Sequence, residues 1–363
     1  MGPITVPFRR ALLPVAAWAT LASGCGVGSA SRAEASAGTD PEAVRRSLYV
    51  LAADSMEGRM TGSPGAARAA RFIAEELRRY GVPPAYPAAS GRDSAYFQGI
   101  PLVRGADDAD LRLLPSWDAM DTIAASRRVR DVNVIGVIRG ADPRLREEAV
   151  IVGAHYDHVG IGRPVMGDSI YNGADDDASG VVTVLEVARA LASGPPPRRT
   201  VIFLLTSGEE LGLLGTRWYL RRPVVPLSAT VADLQVEMVA RPDSAAGGPG
   251  RGWLTGYERS SLGRSLAEAG VPIVPDPRPA QRFFERSDNI AFACRGIPAH
   301  TLSSYGMHDD YHRPSDDADA VDLAHLTALI DAATRAVRLL ADGARATWSP
   351  DGDPSRNAEM CGG

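Results

Sequence analysis

Between residues 132 and 340 the chain alternates short apolar runs with longer segments of helical periodicity, and this alternation narrows the fold more than any other property. The runs 132–138, 149–154, 201–206, 230–236 and 299–302 are almost continuously hydrophobic, as strands buried on both faces must be. The segments 180–192, 211–220, 260–269, 288–295 and 322–340 read as helices, as do 41–53 and 65–80, which flank a Gly-rich loop. The expected architecture is therefore α/β, a mostly parallel, mixed central sheet with helices on both faces. The stretch 83–130 gives only weak strand signals and no assignment. In open sheets of this kind ligands gather beyond the carboxyl ends of the strands.

The amino terminus carries Arg9 and Arg10 and then an apolar stretch over residues 11–23, shorter than the roughly 20 residues a membrane-spanning helix needs. That is the shape of an export signal over residues 1–24. Leu21-Ala22-Ser23-Gly24-Cys25 resembles a bacterial lipobox, with Ala22 where leucine is preferred. A lipidated Cys25 would hold the protein on a membrane surface in the periplasm or cell envelope, followed by a Ser/Ala/Gly tether over residues 25–39. Ordinary cleavage and secretion is the alternative. The formal charge of −5 and the lack of a basic stripe argue against nucleic acid as a partner. Of the cysteines left after processing, Cys294 and Cys361 either pair, or stay as a buried apolar residue and a tail thiol. One domain is expected over 40–345, with a tail over 346–363.

All six histidines lie between residues 155 and 325. His155 ends the run at 149–154, and Asp157 two residues on is suited to holding the second nitrogen of a ligating imidazole. His158 reads as structural, because a histidine after a strand is more often a satisfied polar residue than a ligand. Asp175, Asp176 and Asp177 open directly into an apolar helix; capping accounts for one acid but not for three. A carboxylate that binds one cation on each oxygen holds the two ions ~3.5–4 Å apart, a use suited to Asp176. Glu209 and Glu210 follow the run at 201–206, so one can bind metal while its neighbour faces a bound water. Glu237 and His312 are unremarkable singly. Together, two imidazoles and several carboxylates suit zinc, and a spare carboxylate suits a general base.

These segments in this order resemble the metallopeptidases of family twenty-eight, the co-catalytic dizinc aminopeptidases of the bacterial leucyl type. The resemblance rests on Met56-Glu57-Gly58-Arg59 with Thr61-Gly62-Ser63, on Asn133-Val134-Ile135-Gly136, on Ala154-His155-Tyr156-Asp157-His158, on segments 173–180, 208–215 and 310–316, and on Ser287-Asp288 with Gly296-Ile297-Pro298. It implies the three-layer zinc-exopeptidase (phosphorylase/hydrolase-like) fold and two zinc ions. His155 and Glu237 would hold one ion, Glu210 and His312 the other, and Asp176 would bridge both. It also implies Glu209 as general base and acid, Tyr311 as an oxyanion donor, a cis peptide after Asp176, and substrates that are peptides with a free N-terminus. Glu237 stands where the family more often has aspartate, and Asn289 where histidine is frequent.

Two other functions fit parts of the pattern. A carboxypeptidase or dipeptidase could use the same scaffold. A glutaminyl cyclase-like acyltransferase uses a similar sheet with a single zinc, for which His155 would be superfluous. A non-enzymatic binding domain is disfavoured because all five metal-ligating positions are filled.

Overall fold

The computed structural model describes residues 1–2, 38–87, 95–106 and 110–361. The expected leader beyond residue 2, Cys25 and the tether as far as residue 37 lie outside the described residues. Among the described residues no helix is long and apolar enough to cross a membrane.

Four strands form the parallel centre of the sheet: β4 (Ala149–His155), β7 (Thr200–Thr206), β8 (Thr230–Val236) and β11 (Ala299–Ser303). Every residue of these four is buried. Because successive side chains point to opposite faces, each strand feeds two layers at once. Val150, Val152, Val201, Phe203 and Leu205 face one core, and Ile151, Ile202 and Leu204 face the other. The first core is closed by α1 (Pro41–Leu51), α2 (Pro64–Arg79), α3 (Gly180–Ser193) and α7 (Leu323–Asp342). The second is closed by α4 (Leu214–Arg221) and α6 (Asn289–Ala293), through Tyr219 and Phe292. A further helix, α5 (Ser261–Glu268), packs against α7. Helix starts follow local chemistry: Asp40, Ser63 and Asp322 each accept a backbone N–H of the first turn of α1, α2 and α7, and proline opens α1 and α2.

The flanks are antiparallel. β3 (Arg128–Ile138) pairs with β7, β1 (Phe97–Arg104) with β3, and β2 (Leu111–Leu113) with β1. On the far side β9 (Gly252–Leu254) runs against β11 and carries β10 (Ile273–Pro275) in parallel. The full order is β10-β9-β11-β8-β4-β7-β3-β1-β2. Parallel pairing thus dominates only the centre of this mixed sheet. β3 starts four residues before the apolar run because Arg128 and Arg130 alternate outward while Val129 and Asp131 turn inward. The unassigned stretch supplies β1 and β2. A separate hairpin, β5 (Gly160–Val165) and β6 (Asp168–Tyr171), follows β4.

The segment expected as a tail is fastened to the domain, and the two cysteines pair. The Trp348 indole N–H donates to the Gly296 carbonyl at 3.0 Å, and a last helical turn, α8 (Ala358–Cys361), ends in a disulfide to Cys294.

Candidate metal centre

The parallel strands deliver their functional side chains at one end of the sheet. His155 is the last residue of β4, Glu237 follows β8, and Glu209 and Glu210 lie just beyond β7. Asp176 sits between them in the segment that precedes α3. Its loop turns at Gly173, whose φ of +57° favours glycine and where a Cβ would meet the Asp176 carbonyl and the His158 ring. The Asp176–Asp177 peptide is cis.

The three consecutive aspartates divide their work. Asp177 accepts the N–H groups of Gly180 and Met238 at 3.0 and 3.1 Å, capping α3 and holding the segment after Glu237. Asp175 accepts the Ala240 N–H at 2.8 Å and meets His308 at 3.0 Å. Asp176 alone is aimed at the cluster. Its backbone N–H and that of Asp175 are both held by the buried Asp316 carboxylate, at 2.9–3.1 Å. Arg241 in turn links Asp316 to Asp310 on the loop that carries His312.

Arg59, with no exposed surface, is the clamp beneath the site. Its guanidinium donates to the carbonyls of Leu51, Tyr156, Asn172 and Gly173 at 2.6–2.9 Å, joining the chain after α1 to the loops after β4 and before α3.

The acids and imidazoles converge as two groups that share Asp176. In one, His155, Asp176 and Glu237 offer donor atoms within 4.8 Å of one another; in the other, His158, Asp176, Glu210 and His312 do so. His155 Nδ1 lies 3.1 Å from the Asp157 carbonyl and 3.7 Å from its carboxylate, which leaves Nε2 to face Asp176 Oδ1 at 3.3 Å. The Asp157 carboxylate accepts the Thr61 hydroxyl at 3.0 Å and the Glu209 N–H at 3.2 Å. His312 Nε2 is 3.1 Å from both Asp176 Oδ2 and Glu210 Oε2, and His158 Nδ1 is 2.9 Å from Glu210 Oε1.

Burial sets the electrostatics. It raises the Glu209 carboxyl well above the usual range, with Glu237 and Asp288 adding to the shift and His155 opposing it. Burial likewise pushes Glu237 up to about 7 against the pull of His155. For His312 burial works the other way, but contact with Asp176 and Glu210 prevails and raises it to about 10. The Tyr311 phenol, also raised by burial and by the nearby acids, stays protonated and stacks on the His312 ring at 3.9 Å between centroids.

Two cavities adjoin the cluster. An open cleft of about 760 Å³ has Glu209, Glu210, Tyr311 and His312 among its lining residues. A small one of about 40 Å³ is lined by Glu237, Trp253, Phe283, Tyr305 and Tyr311 among others.

The sequence profile of peptidase family M28 matches residues 133–337, more than half of the chain. The chain belongs to peptidase family M28. Relatives of this M28 chain include a vacuolar membrane protease of Botryotinia fuckeliana, 26% identical over 72% of this chain and 22% of its own length. A probable leucine aminopeptidase 2 of Aspergillus fumigatus is 33% identical over 46% of this chain and 32% of its own length. The match therefore spans well under two thirds of either relative. Among solved structures, an aminopeptidase from Aneurinibacillus sp. strain AM-1 is similar with a TM-score of 0.58 at 18% identity, covering 87% of this chain and 97% of that one. A glutaminyl cyclase of Porphyromonas gingivalis is similar with a TM-score of 0.57 at 16% identity, covering 82% and 97%. At these identities the likeness is one of fold.

All five ligand candidates read from the sequence lie in one or the other group, with Glu209 and Tyr311 on the cleft and Asp157 behind His155. His158, read as structural, joins the second group. The only sequence signal for it was its place three residues after His155 in a segment leaving a buried strand. Asn289 stays outside the cluster: its amide donates to the Phe284 carbonyl and accepts the Thr301 hydroxyl, both at 3.0 Å.

Proposed function

We propose that this M28 chain is a two-zinc aminopeptidase that releases the first residue of peptides bearing a free amino terminus. The observation that carries the reading is the membership of Asp176 in both donor groups, with Glu209 beside them. The residues present fit a pair of cations. Among the described residues His155 Nε2, Asp176 Oδ2, Glu237 Oε2 and His312 Nε2 are buried without a well-aligned hydrogen bond, an arrangement that costs about 1–3 kcal/mol for each such group. Nitrogen and carboxylate donors in this number suit zinc. In this reading His155 and Glu237 would hold one ion, Glu210 and His312 the other, and Asp176 would be shared between them, with His158 supporting Glu210.

What bound zinc supplies is Lewis acidity and a water acidic enough to lose its proton near neutral pH. Glu209 would take a proton from the attacking water and return it to the departing amine; its raised affinity for protons suits it to both halves of the task. Tyr311, kept protonated, donates to the carbonyl oxygen as negative charge develops there. Asp157 fixes the Glu209 backbone and the His155 ring from behind. The aromatic walls of the small pocket suit an apolar first residue, and the open cleft takes the rest of the peptide.

Aminoacyl anilides with free and with acetylated amino groups, assayed with zinc and with a chelator, test the reading. Turnover of the free substrates alone, lost with the chelator, at two zinc ions per chain, is expected. Release of C-terminal residues from blocked peptides would replace it with a carboxypeptidase. The fold likeness to a glutaminyl cyclase favours a second reading, an acyltransferase with one zinc. One zinc per chain together with cyclisation of N-terminal glutamine would establish it, whereas the His155–Asp176–Glu237 group argues against it.

A further inference from the structure

The open cleft beside Glu209, Glu210 and His312 is also lined by four exposed arginines, Arg217 and Arg221 of α4 and Arg286 and Arg295 around α6. The acids of the cleft do not answer them. Glu285 is held by Arg282, Glu210 is engaged by His158 and His312, and no ion pair to any of the four is present among the described residues. Helix α4 has no acid at all, so Arg217 and Arg221, one turn apart, face each other's charge unrelieved. Such a concentration of positive charge runs against a chain whose formal charge is −5. Since the chain contains no lysine, the choice of arginine says little by itself; the placement carries the argument.

Exposed guanidinium groups without protein partners are forks shaped for a carboxylate. Arg221 spends one nitrogen on the Leu114 carbonyl at 3.4 Å, and Arg286 lies with its face over the Phe283 ring at 5.0 Å, a contact that uses none of its N–H groups. Arg286 and Tyr311 line both the cleft and the small pocket. A peptide whose first side chain enters the small pocket therefore passes Arg286 as it runs into the cleft, whose volume of about 760 Å³ has room for several residues.

We infer that the arginines of the cleft select peptides with a carboxylate downstream of the cleaved bond, either an acidic side chain or the free C-terminus of a di- or tripeptide. The inference rests on the aminopeptidase reading. It is tested on the full, zinc-loaded chain with two matched pairs, Leu-Glu-Ala-amide against Leu-Gln-Ala-amide and Leu-Ala-Ala against its C-terminal amide. At least one pair should favour the carboxylate by tenfold or more in kcat/KM, through KM, and the preference should shrink with added salt. The favoured pair identifies the source of the carboxylate. R217E/R221E should reverse the preference, and R286Q/R295Q supplies an independent pair of changes should the first variant fold poorly. Binding of N-acetylated forms of the same peptides, measured by calorimetry, should follow the same order. Equal kcat/KM within both pairs, or a preference that survives both double variants, overturns the inference while leaving the peptidase reading intact. Failure to cleave any free-amino peptide overturns that reading instead.

Discussion

The two donor groups share Asp176 and differ in what supports them. His155 and Glu237 stand at the ends of β4 and β8, neighbouring strands paired in parallel, and His155 is only 3% exposed. Glu210 and His312 come from loops; His312 is 34% exposed and adopts a φ of +53°. Its loop is anchored by ion pairs, Arg241 with Asp310 and Asp316, rather than by sheet hydrogen bonds. One group is therefore set by strand register, which cannot slip without turning whole faces inside out. The other is assembled from loops held by side-chain contacts. A site built this way fixes one half by backbone pairing and the other, on the open cleft, by ion pairs and hydrogen bonds of side chains.

Glu209 belongs to neither group, so its removal gives the largest effect that leaves both in place. Glu209→Gln should lower turnover by roughly 10²–10⁴-fold, as loss of a general base does, while two zinc ions remain by metal analysis. Full activity in that variant would contradict the assigned role, and loss of zinc would mean that Glu209 serves the groups themselves. Arg59 tests the opposite case, a residue under both halves. Arg59→Met removes four hydrogen bonds from a buried cation and strands the carbonyls they served. A loss of about 3–5 kcal/mol in denaturant unfolding is expected, with both zinc ions weakened together. Loss of one ion only would show that the clamp serves a single group.

The strand-borne half was the legible half. Strands buried on both faces appear in the sequence as unbroken apolar runs, so β4, β7, β8 and β11 could be read, and with them His155 and Glu237 at the ends of β4 and β8. β1 was hidden by Gly99 and Pro101, the start of β3 by its outward arginines, and β2, β9 and β10 are three residues each, too short to show a period. What fastens the site is long-range. Arg59 meets Gly173 across 114 residues and Asp316 meets Asp176 across 140, and no local spacing announces such contacts. His158 shows why a single histidine is ambiguous. Its counterpart is His300 on β11, a buried imidazole that is fully satisfied: Nδ1 donates to the Thr255 carbonyl at 2.8 Å, and Nε2 accepts the Ser260 hydroxyl at 2.6 Å. What separates a candidate ligand from a satisfied histidine is a ring nitrogen left without a hydrogen-bond partner, as His158 Nε2 is, and only the fold reveals it.

That contrast predicts a pH effect away from the metal. Burial, with Arg259 adding and the Thr255 carbonyl opposing, lowers His300 from 6.5 to about 4. The unfolded chain then binds the proton first as pH falls, so stability is complete above about 6.5 and is lost toward pH 4, by about 3 kcal/mol. His300→Gln should remove this part of the acid sensitivity in urea unfolding curves. An unchanged pH dependence would show that His300 is not held neutral.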